Sequence, residues 1–235
     1  MEKIIVGNLK MNLEEDKIKN YVEKIKTVKN NNIKLFMAPT FLYLNEFKND
    51  NYELTAQNLS EFDDGNYTGE VSATQLKSIG VSSVIIGHSE RRNLFNETDE
   101  IINDKIKLAL ENNLNVILCV GNKNKDEIDN IVSELINILK IDLKNINDFS
   151  KIIVAYEPLY AINNGESESV EIVKNVILKL KQYFNNNFHT DIKIIYGGSV
   201  NEDNIKEFIN ICDGVIVGKN SLDPDKFIRM IEKVN

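Results

Sequence analysis

The chain has no tryptophan, three prolines, two histidines and two cysteines in 235 residues. Two thiols cannot build the disulfide framework of a small secreted fold, and Cys119 stands inside an apolar run, so a buried free thiol is expected. No pair of His or Cys has ligand spacing, so no metal site is expected. Arginine is confined to Arg91, Arg92 and Arg229, and the net charge is −8. That balance argues against a nucleic-acid partner, which would want a basic face. A small anionic substrate stays open, because a pocket can be locally positive on an acidic protein. No apolar run reaches the length of a membrane span, so no membrane partner is expected. Met1-Glu2-Lys3 leads straight into Ile4-Ile5-Val6, leaving no room for a signal peptide, and a cytoplasmic location is expected. The first apolar run ends in Gly7-Asn8-Leu9-Lys10, not in the G-x-G-x-x-G of a dinucleotide site, so no nucleotide cofactor is expected.

What the chain does have is a period. Short β-branched runs, apolar nearly throughout, occur at Lys3–Val6, Lys34–Met37, Glu53–Ala56, Ser83–Ile86, Val116–Val120, Lys151–Ala155, Lys193–Tyr196 and Gly214–Val217. They read as parallel strands buried on both faces. Amphipathic stretches lie between them, at Leu13–Lys29, Thr40–Phe47, Val71–Ile79, Thr98–Glu111, Glu127–Leu139, Ser169–Phe184, Glu202–Ile211 and Pro224–Lys233. Ser169, Thr98 and Asp223 are expected N-caps, the last with Pro224 in the first helical position. Asn-rich patches such as Asn30–Asn32 and Asn185–Asn187 are expected at loops or helix ends. Eight strand-helix pairs with right-handed crossovers close into a (β/α)8 barrel without a sheet edge. An open doubly wound sheet usually has fewer strands and a glycine-rich first turn, so one barrel domain over 1–235 is the expected architecture.

Active sites of such barrels lie at the C-terminal ends of the strands. Those positions carry Asn8, Lys10, Gln57, Asn58, His88, Glu157, Gly197, Gly198, Ser199, Gly218 and Lys219. Alone, Glu157 before Pro158 reads as a helix-initiating acid ahead of a surface loop. On the sixth of eight strands it faces the same rim as His88 and Lys10, where a carboxylate can act as a general base. The apolar segment Leu159–Ile162, ending in Asn163-Asn164-Gly165, reads as a lid hinged at Pro158. A strand-end histidine is more often structural. Here Ser89-Glu90 opens a helical turn behind His88, whose backbone N–H groups favour a neutral imidazole. Lysine is usually a surface residue, but Lys10 directly follows a strand that points it at the pocket mouth, with Glu90 available to orient it. The Gly-Gly-Ser and Gly-Lys turns after strands seven and eight let backbone N–H groups crowd an anion, at the usual phosphate site of such barrels.

Eight ordered stretches resemble the triosephosphate isomerase family over essentially the full length. They are Gly7-Asn-Leu-Lys-Met-Asn12, Ala38-Pro-Thr40, Ala56-Gln-Asn58, Tyr67-Thr-Gly-Glu-Val-Ser-Ala73, Gly87-His-Ser-Glu-Arg-Arg92, Ala155-Tyr-Glu-Pro158, Tyr196-Gly-Gly-Ser-Val200 and Gly214-Val-Ile-Val-Gly218. The resemblance implies a TIM barrel and a cofactor-free, glycolytic and gluconeogenic isomerase. It would interconvert dihydroxyacetone phosphate and D-glyceraldehyde 3-phosphate through an enediolate. Glu157 would be the base, His88 the electrophile and proton shuttle, and Lys10 with Asn8 the enediolate stabiliser. A glutamate base paired with a neutral histidine is a known property of the family, and it is carried to Glu157 and His88 by the resemblance alone. Backbone N–H groups of Asn163, Ser199, Gly218 and Lys219 would hold the phosphate. Pro158, Leu159, Tyr160, Ala161, Ile162, Asn164 and Gly165 would form the lid, with Ser89, Glu90 and Tyr196 as orienting groups. Ser60–Gly69, with Thr68, and the neighbouring Gln57 and Asn58 would belong to a homodimer contact.

The chain departs from the family at Tyr160, where Trp is usual, at Asn163-Asn164-Gly165, where Gly-Thr-Gly is usual, and at Asn122, where Glu is usual. Leu9 and Lys219 also differ, standing where Trp and Gly are common. In the family that Glu and that Trp interact, so Tyr160 and Asn122 are expected to be a matched pair. The altered lid also motivates an alternative, a catalytically weakened paralogue that binds phosphorylated metabolites as a sensor or assembly partner.

Overall fold

A computed structural model describes the chain from residue 2 to 235. Met1, Asn30, Asn31 and the side chain of Asn163 lie outside the described residues. Among the described residues there are eight strands: β1 Lys3–Asn8, β2 Ile33–Ala38, β3 Glu53–Ala56, β4 Ser83–Ile86, β5 Asn115–Val120, β6 Ile152–Tyr156, β7 Lys193–Tyr196 and β8 Gly214–Val217. All neighbouring pairs are parallel, and β8 pairs back to β1, which closes the barrel. The α-helices are α1 Glu15–Ile25, α2 Ala73–Ser78, α3 Ser89–Leu94, α4 Asp99–Glu111, α5 Ile128–Asp142, α6 Leu159–Asn163, α7 Val170–Phe188, α8 Ile205–Ile211 and α9 Pro224–Val234.

Two apolar layers follow from the two-residue period of the strands. Ile4, Val6, Phe36, Ala38, Ile85, Ile117, Cys119, Ile153, Ala155, Ile195 and Ile216 form one cluster inside the barrel. Their neighbours in sequence, such as Ile5, Leu35, Val84, Leu118, Val154 and Ile194, pack outward against the helices in the larger cluster. Both faces of each strand are therefore buried, which is why the runs are continuously apolar instead of alternating.

The expected caps are present. Thr98 and Ser169 accept from the N–H groups of Ile101 and Ile172, and Asp223 accepts from Asp225 and Lys226. Three differences from the sequence reading have local causes. The first strand continues past Val6 because Asn8 still pairs with Ala38 of β2. The eighth helix begins at Ile205, not Glu202, because the side chains of Asn201 and Asn204 bond each other's backbone N–H groups in the turn before it. The stretch Thr40–Phe47 becomes a 3-10 helix over Phe41–Phe47. Asn185–Asn187 fall in the last turn of α7, and His189 caps that helix in the left-handed region, at φ 52°.

Candidate active site

One further two-residue step along the inward faces reaches the barrel mouth. After Ile153 and Ala155 that step gives Glu157, after Ile4 and Val6 it gives Asn8, and after Cys119, Ile195 and Ile216 it gives Gly121, Gly197 and Gly218. Polar groups and glycines thus replace the apolar filling where the strands end. The groups around this mouth line a cavity of about 590 Å³ that holds Asn8, Lys10, His88, Glu157, Ser199 and Lys219.

Glu157 is buried, and its backbone N–H donates to Val120 O at 2.8 Å. Its Oε1 lies 3.4 Å from His88 Nε2, and its Oε2 accepts from the Ser89 N–H at 3.4 Å. A Cβ on Gly121 would lie 1.9 Å from Glu157 O, and one on Gly197 would lie 2.8 Å from Glu157 Cγ. Only residues without a side chain let the two flanking strand ends close on Glu157, Gly121 on its backbone and Gly197 on its side chain. Burial first, and then the Glu157 charge, push the Cys119 thiol well above its ordinary value. It therefore stays a neutral thiol beneath the carboxylate.

His88 caps α3, its Nδ1 accepting the Glu90 N–H at 3.3 Å. An acceptor nitrogen carries no proton, so in the neutral ring the proton sits on Nε2, the atom facing Glu157. Lys10 stands at φ 50°, an uncommon conformation for a residue with a side chain. The Asn8 Oδ1 accepts the Lys10 N–H at 3.1 Å, and Gln57 Nε2 donates to Lys10 O at 3.0 Å and to Ala38 O at 2.8 Å. Its ammonium is 2.6 Å from Glu90 Oε1. Burial opposes the Glu90 charge, but the Lys10 hydrogen bond together with the neighbouring His88 and the Lys10 charge outweighs it and holds the carboxyl below its usual range.

Gln57 and Asn58, expected at a subunit contact, have bonding roles within the chain. Gln57 clamps the turn that carries Lys10, and Asn58 Oδ1 accepts from the buried Lys105 ammonium at 3.0 Å. The clamp has no local signal, because its two acceptors come from other strand ends. Arg92 is a support the sequence reading missed. It donates from Nε to Gly87 O at 2.8 Å, bonds Asp142 at 2.6 Å and also bonds Asp99, tying α3 to its surroundings. Arginines directly after a strand-end histidine are the only hint of it.

The expected lid loop contains a short helix, α6. Ala161 and Ile162 both donate to Pro158 O at 3.1 Å, and the turn ends at Gly165, at φ 72°. Ile162 and Gly165 border the cavity, and the Tyr196 hydroxyl accepts the Glu168 N–H at 2.9 Å at the lid's far end. The expected pairing of Asn122 with Tyr160 is not made. Asn122 Oδ1 accepts the Tyr156 hydroxyl at 3.0 Å and its Nδ2 donates to Asn124 O at 2.8 Å, so the short amide is spent on nearer partners. At the other side of the mouth, Gly218 leads into a 3-10 helix over Lys219–Ser221, and Asn204 Nδ2 holds Ser199 O at 3.0 Å. Among the described residues no group of three or more His, Cys, Asp or Glu is arranged to hold a metal ion.

A closed parallel barrel with a carboxylate, an imidazole and an ammonium around its C-terminal mouth belongs to the barrel enzymes that work by acid–base chemistry. The family model described as triosephosphate isomerase matches residues 3–234, and the chain belongs to that family. Curated relatives bearing that name include one from Flavobacterium psychrophilum, 39% identical with 99% of each chain covered. One from Mycoplasma mobile is also 39% identical, covering 98% of this chain and 99% of the relative. One from Mycoplasma genitalium is 37% identical with 96% of each covered.

Proposed function

We propose that residues 1–235 act as one catalytic domain that interconverts dihydroxyacetone phosphate and D-glyceraldehyde 3-phosphate through an enediolate. The observation that carries this reading is the facing pair of Glu157 Oε1 and His88 Nε2 at 3.4 Å, on a rim shared with Lys10. Glu157 removes a proton from the carbon beside the carbonyl and returns it to the neighbouring carbon. The His88 Nε2–H hydrogen-bonds the carbonyl oxygen as negative charge grows there, then passes protons between the two oxygens. Lys10, steered by Glu90 and the clamp from Gln57, adds positive charge to the same oxygens. Backbone N–H groups of Asn163, Ser199, Gly218 and Lys219 hold the phosphate. The lid over Pro158–Glu168 excludes water while the intermediate exists.

The working form we propose is a cytoplasmic homodimer. Two free, buried thiols, Cys119 and Cys212, suit a reducing compartment. Residues 62–70 are exposed, with Phe62 and Tyr67 stacked at 3.9 Å, and Met11, Leu42, Leu94 and Phe95 are more than half exposed. That much unshielded apolar surface suits a partner face. Light scattering on the purified protein should give twice the chain mass, and a monomer at micromolar concentration would exclude the dimer.

The activity is tested by purified protein and dihydroxyacetone phosphate in a coupled assay for the aldehyde product. Rapid turnover is expected. Binding of triose phosphate without turnover would instead favour the weakened paralogue.

A further inference from the structure

The cavity wall built by the turns after β7 and β8 carries charge of one sign. The acids that border the cavity are Glu90 and Glu157, and both stand with Lys10 or His88. The two turns bring glycines, Ser199, Asn201 and Asn220 to it, together with Lys219, and α9 adds Lys226. Lys226 is half-buried, and its Nζ donates to Asn220 Oδ1 at 2.9 Å. Asn220 in turn donates from Nδ2 to Val200 O at 2.7 Å, so one amide ties the two turns together and holds the ammonium beside them.

An ammonium has three N–H donors, and Asn220 takes one of those on Lys226. The acids next to it in sequence are committed elsewhere. Asp223 accepts the backbone N–H groups of Asp225 and Lys226, and Asp225 pairs with Lys24 at 2.5 Å. Among the described residues neither Lys219 nor Lys226 pairs with a carboxylate. On a chain of net charge −8 these two cations make one wall of the cavity locally positive. They also exceed what one phosphate needs, because Lys10 already reaches the same turn: a Cβ on Gly218 would stand 3.8 Å from its Nζ. We propose that Lys226, with Lys219, forms a second anion subsite beside the phosphate cradle, for the second phosphoryl group of a small diphosphate. Such a ligand sets one phosphoryl group on the backbone N–H groups of Ser199, Gly218 and Lys219 and the other against the two ammoniums. It thereby excludes a triose phosphate from the cavity. The inference rests on the reading of these turns as a phosphate cradle.

Calorimetry with inorganic phosphate and with pyrophosphate tests the subsite without requiring turnover. Pyrophosphate should bind about tenfold more tightly than phosphate, the scale of one hydrogen bond to a charged group. It should also inhibit turnover of dihydroxyacetone phosphate competitively. Lys226→Met should remove most of that preference while changing phosphate affinity less, and Lys219→Met should reduce it. Lys206→Met, an equal change of charge at an exposed position of α8 outside the cavity, should keep the wild-type ratio. The two anions are compared on the same protein, so a partly unfolded variant lowers both affinities and leaves their ratio in place. Equal affinities in the wild type overturn the subsite, as does a preference that survives in folded Lys226→Met. A preference that Lys206→Met lowers equally also overturns it, since net charge alone is then the cause. If neither anion binds, the cradle reading falls together with the subsite; phosphate binding without a preference for pyrophosphate removes the subsite alone. A preference lost in Lys226→Met, in protein that does not turn over triose phosphate, keeps the subsite and removes the isomerase reading.

Discussion

The rim and the lid position their residues in different ways. Glu157, Asn8 and Gly197 sit where the strand period puts them, one step above a filled barrel interior. Their backbone is locked by ladder bonds such as Glu157 N–H to Val120 O. The segment proposed as the lid carries a short helix and is tied at its far end by the Glu168 N–H to Tyr196 bond. A change in the rim should therefore damage the chemistry in place, whereas a change in the lid should shift how long the site stays closed. On the proposed reading the rim does the chemistry and residues 158–168 close over it, so substitutions can separate the two effects.

The largest break is expected from Lys10→Met. The ammonium is the cation paired with Glu90 at the mouth, and its loss leaves that carboxylate without its partner. Turnover should fall on the order of a thousandfold, the upper range for losing one electrostatic stabiliser of a developing oxyanion. A loss under tenfold would remove Lys10 from the chemistry. Glu157→Asp comes next. Shortening the side chain by one methylene moves the carboxylate by about an ångström, which costs roughly a hundredfold by misplacement. Phosphate affinity should survive, because the lid and its donors are unchanged. Near-normal turnover would refute the assignment of the base.

Gly197→Ala sharpens the contrast at a smaller scale. The added methyl would stand 2.8 Å from Glu157 Cγ and 2.8 Å from Ile216 Cγ2, and Ile216 belongs to the packed barrel interior. The carboxylate is the freer of the two, so it should shift by a few tenths of an ångström. A loss of about tenfold in kcat with little change in KM is expected. Substitutions within residues 159–165 should show the reverse pattern. If Gly197→Ala raises KM and spares kcat, the division between rim and lid fails.

The same division governs what could be read from residues alone. The barrel was legible because it rests on period and order: apolar runs fix the strands, and Asn8, His88, Glu157 and the glycine turns stand at or just past their C-terminal ends. Strands β3, β4, β7 and β8 end where the apolar run ends. The contacts that steer the rim were not legible. Gln57 bonds Lys10 O and Ala38 O, acceptors 47 and 19 residues away, and nothing near Gln57 announces either. The turn ending at Gly165 was legible, but the helix before it was not. Its first turn depends on Pro158 O accepting twice, and on Leu159 N–H reaching Asn122 O at 3.1 Å beyond the end of the adjacent strand β5. Asn122 and Tyr160 looked coupled because both depart from the family pattern. Tyr156 is closer to Asn122, and proximity decides the bond.

Behind the rim, Asp142 offers the smallest and most selective test. Its Oδ2 is 2.6 Å from Arg92, which braces the helix carrying His88, while its Oδ1 is buried without a partner. Burial pushes this carboxyl up from 3.8 to about 7, with the Asp99 charge adding to the rise and Arg92 opposing it. Since an unfolded Asp releases its proton near pH 3.9, the folded chain holds more protons than the unfolded one between about pH 4 and pH 7. Stability from this group is therefore full below about pH 4, falls as pH rises to about 7, and is level above that. The total is on the order of 2–4 kcal/mol. Asp142→Asn removes the titration, so its melting temperature relative to wild type should be higher at pH 8 than at pH 5. Catalytic constants at a fixed pH should move less than in Gly197→Ala, because the carboxyl touches the rim only through Arg92. A melting difference that does not vary with pH would mean that Asp142 is ionised throughout, and that Arg92 outweighs its burial.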